Sequence, residues 1–436
     1  MNVLRWSVRV LAAVGLVVVG VWLVSRLMPM PKAQRDALAL LRPVPAGLPS
    51  GGNAFDGIWL LGFDGVPDAE REGIVAEDGT RMQRLAERPD DAPMTPVDIA
   101  SVAQGRYPQV AEVTLPCRWR EAGCLAQVRV DPDAVEAALV AQRGLLKRID
   151  ALSGDSHYRN RFSADARLPI PSFNLLQRSL SAHALAHVQG RSDEALAGIC
   201  SDVRTAKVLM SHSDGLVPAN IGAAMIGGNV RLLASVLAEL PVEHPLPATC
   251  DGVFVAPVPQ ALSLCPAMQG EFAMVSGSIE TTPSGFAWLA LDKQKTEGLL
   301  ALSMAGACSQ RTMEALAADI PAQWPVASSS PRRLECAANA LGCIVARISG
   351  PAFDKHGLSL QDAGARLRLA EALLWLRANP QADAKAGLAQ MPARLREGAR
   401  PLLLSSDGTS LEVTSYYGKD NGVAFAVPLP GTATMH

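Results

Sequence analysis

The chain has 436 residues, of which 49% are apolar and 19% charged, with a net charge of −2 and a pI near 6.4. That is ample apolar material for one large or two ordinary folded domains. The near-neutral balance leaves no basic field to hold nucleic acid or an anionic surface, so no nucleic-acid partner is expected. Aromatic residues are only 5% while Ala and Leu dominate, a composition that suits helices packed closely through small side chains.

The first element is the most distinctive. Val10 to Ser25 carries no charge, Arg5 and Arg9 stand before it, and Arg26 follows. A helix from Leu4 to Met28 is long enough to cross a bilayer, with its arginines snorkelling at the ends, before Pro29 and Pro31 stop it. Ser25-Arg26-Leu27-Met28-Pro29 lacks the small-residue pattern of a signal-peptide cleavage site. The expectation is an uncleaved anchor over residues 10–28 with a cytoplasmic tail at 1–9. A lipoprotein is excluded, because the first cysteine is Cys117. Arg5 and Arg9 nearly balance Arg26, Lys32 and Arg35, so flanking charge does not settle orientation.

Residues 29–95 read as juxtamembrane helices and linker. Ala33–Leu41 is a short helix, broken by Pro43, Pro45 and Pro49. Asn53–Leu61 is a short buried segment, and Pro67–Glu87 is a helix with Asp68 and Glu70 suited to its first turn. Arg88–Thr95 is a proline-rich loop. A helical extracytoplasmic domain is expected over 96–400. Asp131-Pro132 starts a helix running to about Leu152. Phe173–Leu240 is helical, with turns near Gly190, at Ser213–Gly215 and at Gly227-Gly228, as in stacked hairpins. The run AHVQGRSDEALAGI resembles a single tetratricopeptide unit, with no second copy at a fixed period. Pro241–Pro259 is a loop. Helices follow near 291–305, 309–319, 337–349 and 360–378. The last part, 401–436, changes to short strands at Leu402–Ser405, Ser410–Thr414 and Val423–Val427, with hairpin signals Asp407-Gly408 and Asn421-Gly422. The expected fold is therefore mainly α, with an N-terminal transmembrane helix, a helical-hairpin body and a small C-terminal antiparallel β meander.

Eight cysteines, none in a C-x-x-C pair, argue against the common zinc and thioredoxin-like readings. Cys117–Cys124 and Cys336–Cys343 share a spacing of seven. Along a continuous helix that is about 10.5 Å, too far for a disulfide, so each first Cys must lie in a loop and each second Cys in the first turns of a helix. Cys250–Cys265, flanking Pro257 and Pro259, is the third expected local bond, which leaves Cys200 for Cys308. Such a framework favours an oxidising compartment and an extracytoplasmic body; the alternative is eight buried, reduced thiols, since free Cys is among the most buried residue types.

Recognised catalytic motifs are missing: there is no G-x-S-x-G, Walker loop, H-E-x-x-H or G-x-G-x-x-G. Glu77-Asp78-Gly79-Thr80 resembles the nucleophile loop of haloacid-dehalogenase-like phosphatases, but Ala76 replaces the nucleophile, so a polar stretch in or beside a helix is the simpler reading. His183 and His187 sit four apart on one helix face and could hold zinc with Asp193 or His157 as third ligand; two helix-surface or hairpin-packing histidines are the simpler reading. His212 and Asp214 read as a helix cap or loop before an acid–base pair. No cofactor is called for.

GIWLLGFDG, AHALAHVQGRSDEALAGICSDV, CAANALGCIVARISGPAF and RLAEALLWLR together resemble membrane-anchored envelope proteins of high-GC Gram-negative bacteria. The resemblance implies the same inner-membrane, single-pass topology and carries no catalytic residue across. The functional expectation is an anchored periplasmic protein acting by binding or scaffolding, with an envelope protein as partner. The alternatives are a metal-dependent hydrolase at His183 and His187, and a chaperone-like assembly factor.

Overall fold

A computed structural model describes residues 2–42, 50–88, 95–281, 289–322, 324, 333–349, 353–417 and 422–430. The Pro43–Pro49 break, most of the Arg88–Thr95 loop, Asn421 and residues 431–436 lie outside the described residues. The chain is mainly helical with a small sheet near its C-terminus. Helix α1 (Asn2–Leu27) leads into α2 (Lys32–Leu41). Strand β1 (Gly52–Asn53), α3 (Ala54–Trp59), α4 (Asp68–Ala86) and α5 (Pro96–Ile99) follow. Next come α6 (Cys124–Val130), α7 (Pro132–Val140), α8 (Arg143–Ala151) and β2 (Asp155–His157). The centre is α9 (Arg178–Val188), α10 (Ser192–Ser211) and α11 (Leu216–Glu239). Then come α12 (Cys265–Thr281), α13 (Lys293–Met304), α14 (Gln310–Ala317), α15 (Ala340–Ser349) and α16 (Asp354–Ala378). Short α17 (Ala384–Gln390) and α18 (Ala393–Arg396) precede β3 (Leu403–Leu404), β4 (Ser410–Thr414) and β5 (Ala424–Pro428).

Helix α11 is the axis of the body. It is apolar on nearly every side, and its Ala223, Ile226, Val230, Leu233 and Leu237 are fully buried between α10 and α16. An all-round apolar helix belongs in a core or a membrane; α11 passes the length and hydropathy test for a membrane span yet is mostly buried inside the protein. Helix α1 passes the same test with its span unburied by the rest of the chain. The sheet closes one end. Leu411 faces Val427 and Val413 faces Phe425 across β4 and β5, and these four buried side chains lie on α11 and α16 while the alternate residues are more exposed.

Two expectations are corrected by packing. Gly227-Gly228 is not a turn but mid-α11. A Cβ on Gly228 would stand 2.7 Å from Trp119 Cα, and one on Gly227 would stand 2.9 Å from an Arg366 guanidinium nitrogen. The pair is there for close approach. The helix from Asp131 is also interrupted: Asp131 caps α7 through the Ala134 N–H, the helix ends at Ala141, and α8 restarts after Gln142. Buried Gln142 donates to the Ala111 carbonyl and accepts from Arg178, tying the break to the long irregular segment before it.

The cysteines form four disulfides: Cys117–Cys124, Cys200–Cys250, Cys265–Cys308 and Cys336–Cys343, with Cα separations of 5.0, 5.1, 4.6 and 5.9 Å. In both short loops the second cysteine lies in the first turns of a helix, Cys124 opening α6 and Cys343 in α15. The expected Cys250–Cys265 and Cys200–Cys308 bonds are replaced by an exchanged pairing. The segment between Cys250 and Cys265 does not fold back on itself. It runs along α10, where Lys207 donates to the Val253 carbonyl and Ser211 to the Ala261 carbonyl. Cys250 is thereby left beside Cys200 on α10, and Cys265 is carried on to the turn after α13. Four disulfides are compatible with an oxidising compartment.

Candidate functional site

Of the histidines singled out in the sequence, His183, His187 and His157 each have a separate side-chain partner, while His212 caps α10 and its carbonyl accepts from Arg159. His183 Nε2 lies 3.2 Å from Asp202 Oδ2, and the ring packs over Gly198 of α10. His187 is buried, with Nε2 at 2.9 Å from Glu239 Oε2 and Nδ1 at 2.9 Å from Ser192 Oγ. Asp193 pairs with His244 at 2.8 Å, and His157 Nδ1 lies 2.9 Å from Ser156 Oγ. Both α9 histidines therefore pack the hairpin formed with α10, whose turn is made by Gly190 at φ +80°. Among the described residues no group of three or more His, Cys, Asp or Glu side chains is placed to hold a metal. Asp78 is equally structural: fully buried in α4, it accepts from Trp59 Nε1 at 2.8 Å and the Val102 N–H at 2.8 Å.

Asp214 is different. It sits in the turn between α10 and α11, beside a cleft of about 470 Å³. Three pieces of chain build that cleft: the Tyr158–Phe173 segment, the Asp214 turn with the start of α11, and the Pro266–Met274 part of α12. Its apolar walls include Phe162, Ile170, Phe173, Val217 and Met274. Phe162 is fixed edge-on against Phe55 and Trp59, with centroids 5.0 and 4.7 Å away. The wall is thus continuous with an aromatic cluster from α3.

The polar end carries Asp214 and Glu271. Asp214 accepts from the Asn160 N–H at 3.1 Å, and Glu271 accepts from the Leu216 N–H at 2.8 Å, in the first turn of α11. Burial raises the pKa of Asp214, opposed by the Asn160 N–H and the charge of Arg159. Burial also raises that of Glu271, opposed by the Leu216 N–H and reinforced by the Asp214 charge. The charge of Asp214 thus reaches Glu271. Their spacing depends on Gly270, where a Cβ would stand only 1.8 Å from the Asp214 carbonyl oxygen. Only glycine lets α12 press this closely on the turn.

The size and mixed lining are those of a small-molecule or segment-binding pocket, and carboxyls shifted by burial mark functional clefts more often than plain surface. Chemically, the arrangement can accept hydrogen bonds from a ligand's polar end while the walls hold an apolar body. Asp214 was visible in the sequence as part of SHSD. Glu271, Phe162 and Met274 were not, since no local pattern joins them. Comparison with protein-family models, curated proteins and solved structures returns no match.

Proposed function

We propose that this chain is a single-pass inner-membrane protein, anchored by α1, whose helical body lies in the periplasm and binds an amphipathic ligand or an envelope partner's segment in the Asp214–Glu271 cleft. The observation that carries the binding reading is the cleft itself: apolar walls and a polar end whose two carboxyls are raised by burial. The unburied apolar span of α1 and the four disulfides support the anchor and the compartment.

A second reading is favoured by the same pair. Two neighbouring acids with raised pKa can act as general acid and base, which would make the protein a hydrolase without a metal. The two readings separate in one experiment. A photo-crosslinking residue is placed at Ile170 or Val217, both exposed on the cleft wall, in cells lacking the native gene. The same cells test Asp214→Asn and Glu271→Gln for rescue of the deletion phenotype. Binding predicts a defined adduct at both positions and graded loss of function that deepens in the double variant. Complete loss from one substitution in a stably folded protein points to catalysis. No adduct at either position, with both variants fully functional, refutes the cleft as the working site.

A further inference from the structure

Helix α15 turns an apolar face away from the body. Its inner side is locked. Cys343 is bonded to Cys336, Ala346 packs with Leu299 and Leu300 in a small second core, and a Cβ on Gly342 would stand 1.9 Å from Thr296 Oγ1 on α13. Its outer side carries Leu341, Ile344, Val345 and Ile348, spaced i, i+3, i+4 and i+7 and so on one face. Their exposures are 45, 50, 42 and 75%. The disulfide and the Gly342 contact prevent the helix from rolling that stripe inward. Leu289 and Leu334, next to it along the chain paths that meet there, are exposed as well. A contiguous exposed apolar stripe of this kind points to a binding face.

The connections of α15 say what covers it. The Leu341 N–H donates to the Ala290 carbonyl at 2.9 Å. The preceding residue, Leu289, accepts from Trp22 Nε1 of α1 at 2.7 Å. The Ala338 N–H donates to Ser25 Oγ at 3.0 Å, and Arg26 pairs with Asp292 at 3.5 Å. The start of α15 is therefore fastened to the last two turns of α1. Trp22 precedes Arg26 by four residues, about 6 Å along the helix axis, and an indole just inside a terminal arginine sits at headgroup depth. The apolar stripe begins at that level.

We propose that α15 lies in the interfacial layer of the bilayer that α1 spans, with Leu341, Ile344, Val345 and Ile348 inserted among the lipids as an amphipathic second contact. This rests on the anchor reading of α1. The occupant is the lipid surface rather than another protein, because the stripe is continuous with the exit of a helix whose apolar span the body leaves uncovered up to its last two turns.

The full chain is reconstituted in vesicles of phosphatidylcholine and phosphatidylglycerol. All eight native cysteines are in disulfides, so a single added cysteine takes a nitrobenzoxadiazole label. Labels go on Ile344→Cys and Ile348→Cys, on Val17→Cys within α1, and on exposed Asp133→Cys in α7 as the aqueous reference. The expected result is quenching of the Ile344 and Ile348 labels by shallow nitroxide lipids, with loss of the iodide quenching seen at Asp133. Iodide quenching at Ile344 and Ile348 equal to that at Asp133, with Val17 quenched by lipid, overturns the docking of α15 and leaves the anchor intact. A Val17 label open to iodide overturns the anchor itself. In an Ile344→Asp/Ile348→Asp background, a Leu341→Cys label should regain iodide quenching while Val17 stays in lipid; lipid quenching that persists at Leu341 also counts against the proposal.

Discussion

Gly270→Ala perturbs the cleft at its tightest contact. The added methyl would stand 1.8 Å from the Asp214 carbonyl oxygen and 2.9 Å from its carbon. Carbon and carbonyl oxygen settle at about 3.3 Å, so one backbone must retreat by about 1.5 Å. Neither is free to do so. The Asp214 side chain is bonded to the Asn160 N–H, and α12 is held to α11 through Glu271 and the Leu216 N–H. Overpacking costs about 1–3 kcal/mol, and a clash against backbone belongs at the upper end. Alanine in a helix interior returns about 1 kcal/mol. The net expectation is a loss of about 2 kcal/mol. Gly73→Ala is the matched control: in α4, with nothing within 4 Å of the new methyl, it should gain up to about 1 kcal/mol. Urea unfolding of the full chain in detergent, followed by tryptophan fluorescence, reads both. The two variants should shift the midpoint in opposite directions. If Gly270→Ala unfolds at or above the parent midpoint, α12 does not press on the Asp214 turn and the cleft is not built as described.

Asp155 is pushed up to about 6 by burial, with the charge of Asp56 adding. Between about pH 4 and 6 the native state then holds a proton that the unfolded chain releases, so its ionisation destabilises the fold above pH 6 and that cost vanishes as the pH falls to about 4. The full ceiling is about 3 kcal/mol, which screening at a half-buried site reduces to about 1. Asp155→Asn should therefore stabilise near pH 8 by about that amount and have no effect near pH 4; an equal effect at both refutes the assignment. Non-reducing peptide mapping should recover Cys200–Cys250 and Cys265–Cys308, and a recovered Cys250–Cys265 peptide refutes the traced path. By loop length, losing Cys200–Cys250 should cost about 4 kcal/mol and losing Cys117–Cys124 about 2, so replacing each pair by serine should lower the unfolding midpoint in that order. His187→Ala strips a partner from Glu239 and Ser192 in a buried setting and should cost about 1–3 kcal/mol, whereas an exposed helix position would cost almost nothing; a midpoint unchanged by the substitution would place His187 at the surface.

What the sequence revealed follows from the range of the interaction involved. The apolar N-terminal helix, the strand meander and both seven-residue disulfide loops rest on neighbours in the chain, and periodicity or spacing exposes them. Helix α12 does not: Gly270 and Gly277 interrupt its pattern, and each is required by another segment's backbone, the Asp214 and Ala164 carbonyls respectively. Missing α12 meant missing Glu271 and half of the cleft. The Gly227-Gly228 pair misled for the same reason. Read locally it is a turn, but in the fold it makes room for Trp119 and Arg366. The long disulfides and the separate carboxylate partners of His183 and His187 likewise depend on which helices lie side by side, and that is written in no short stretch.

Helices α1 and α2 are packed directly on the body. Gln34 of α2 is buried against Gly298 of α13, Lys295 donates to the Ser25 and Arg26 carbonyls, and Ser25 itself is fully enclosed. The proposed membrane attachment then does more than raise effective concentration, as a loose linker would; it fixes the height and tilt of the body. Helix α12 carries that constraint to the cleft. Its first half supplies Gly270 and Glu271, while Ile279 near its end packs with Leu299 and Leu300 of α13, the helix on which α2 and α15 also rest. One helix thus links the proposed bilayer contact to Glu271 and to the turn that carries Asp214. On the proposed reading, the body selects partners that present their polar end at one depth from the membrane, a restriction that a tethered domain could not impose.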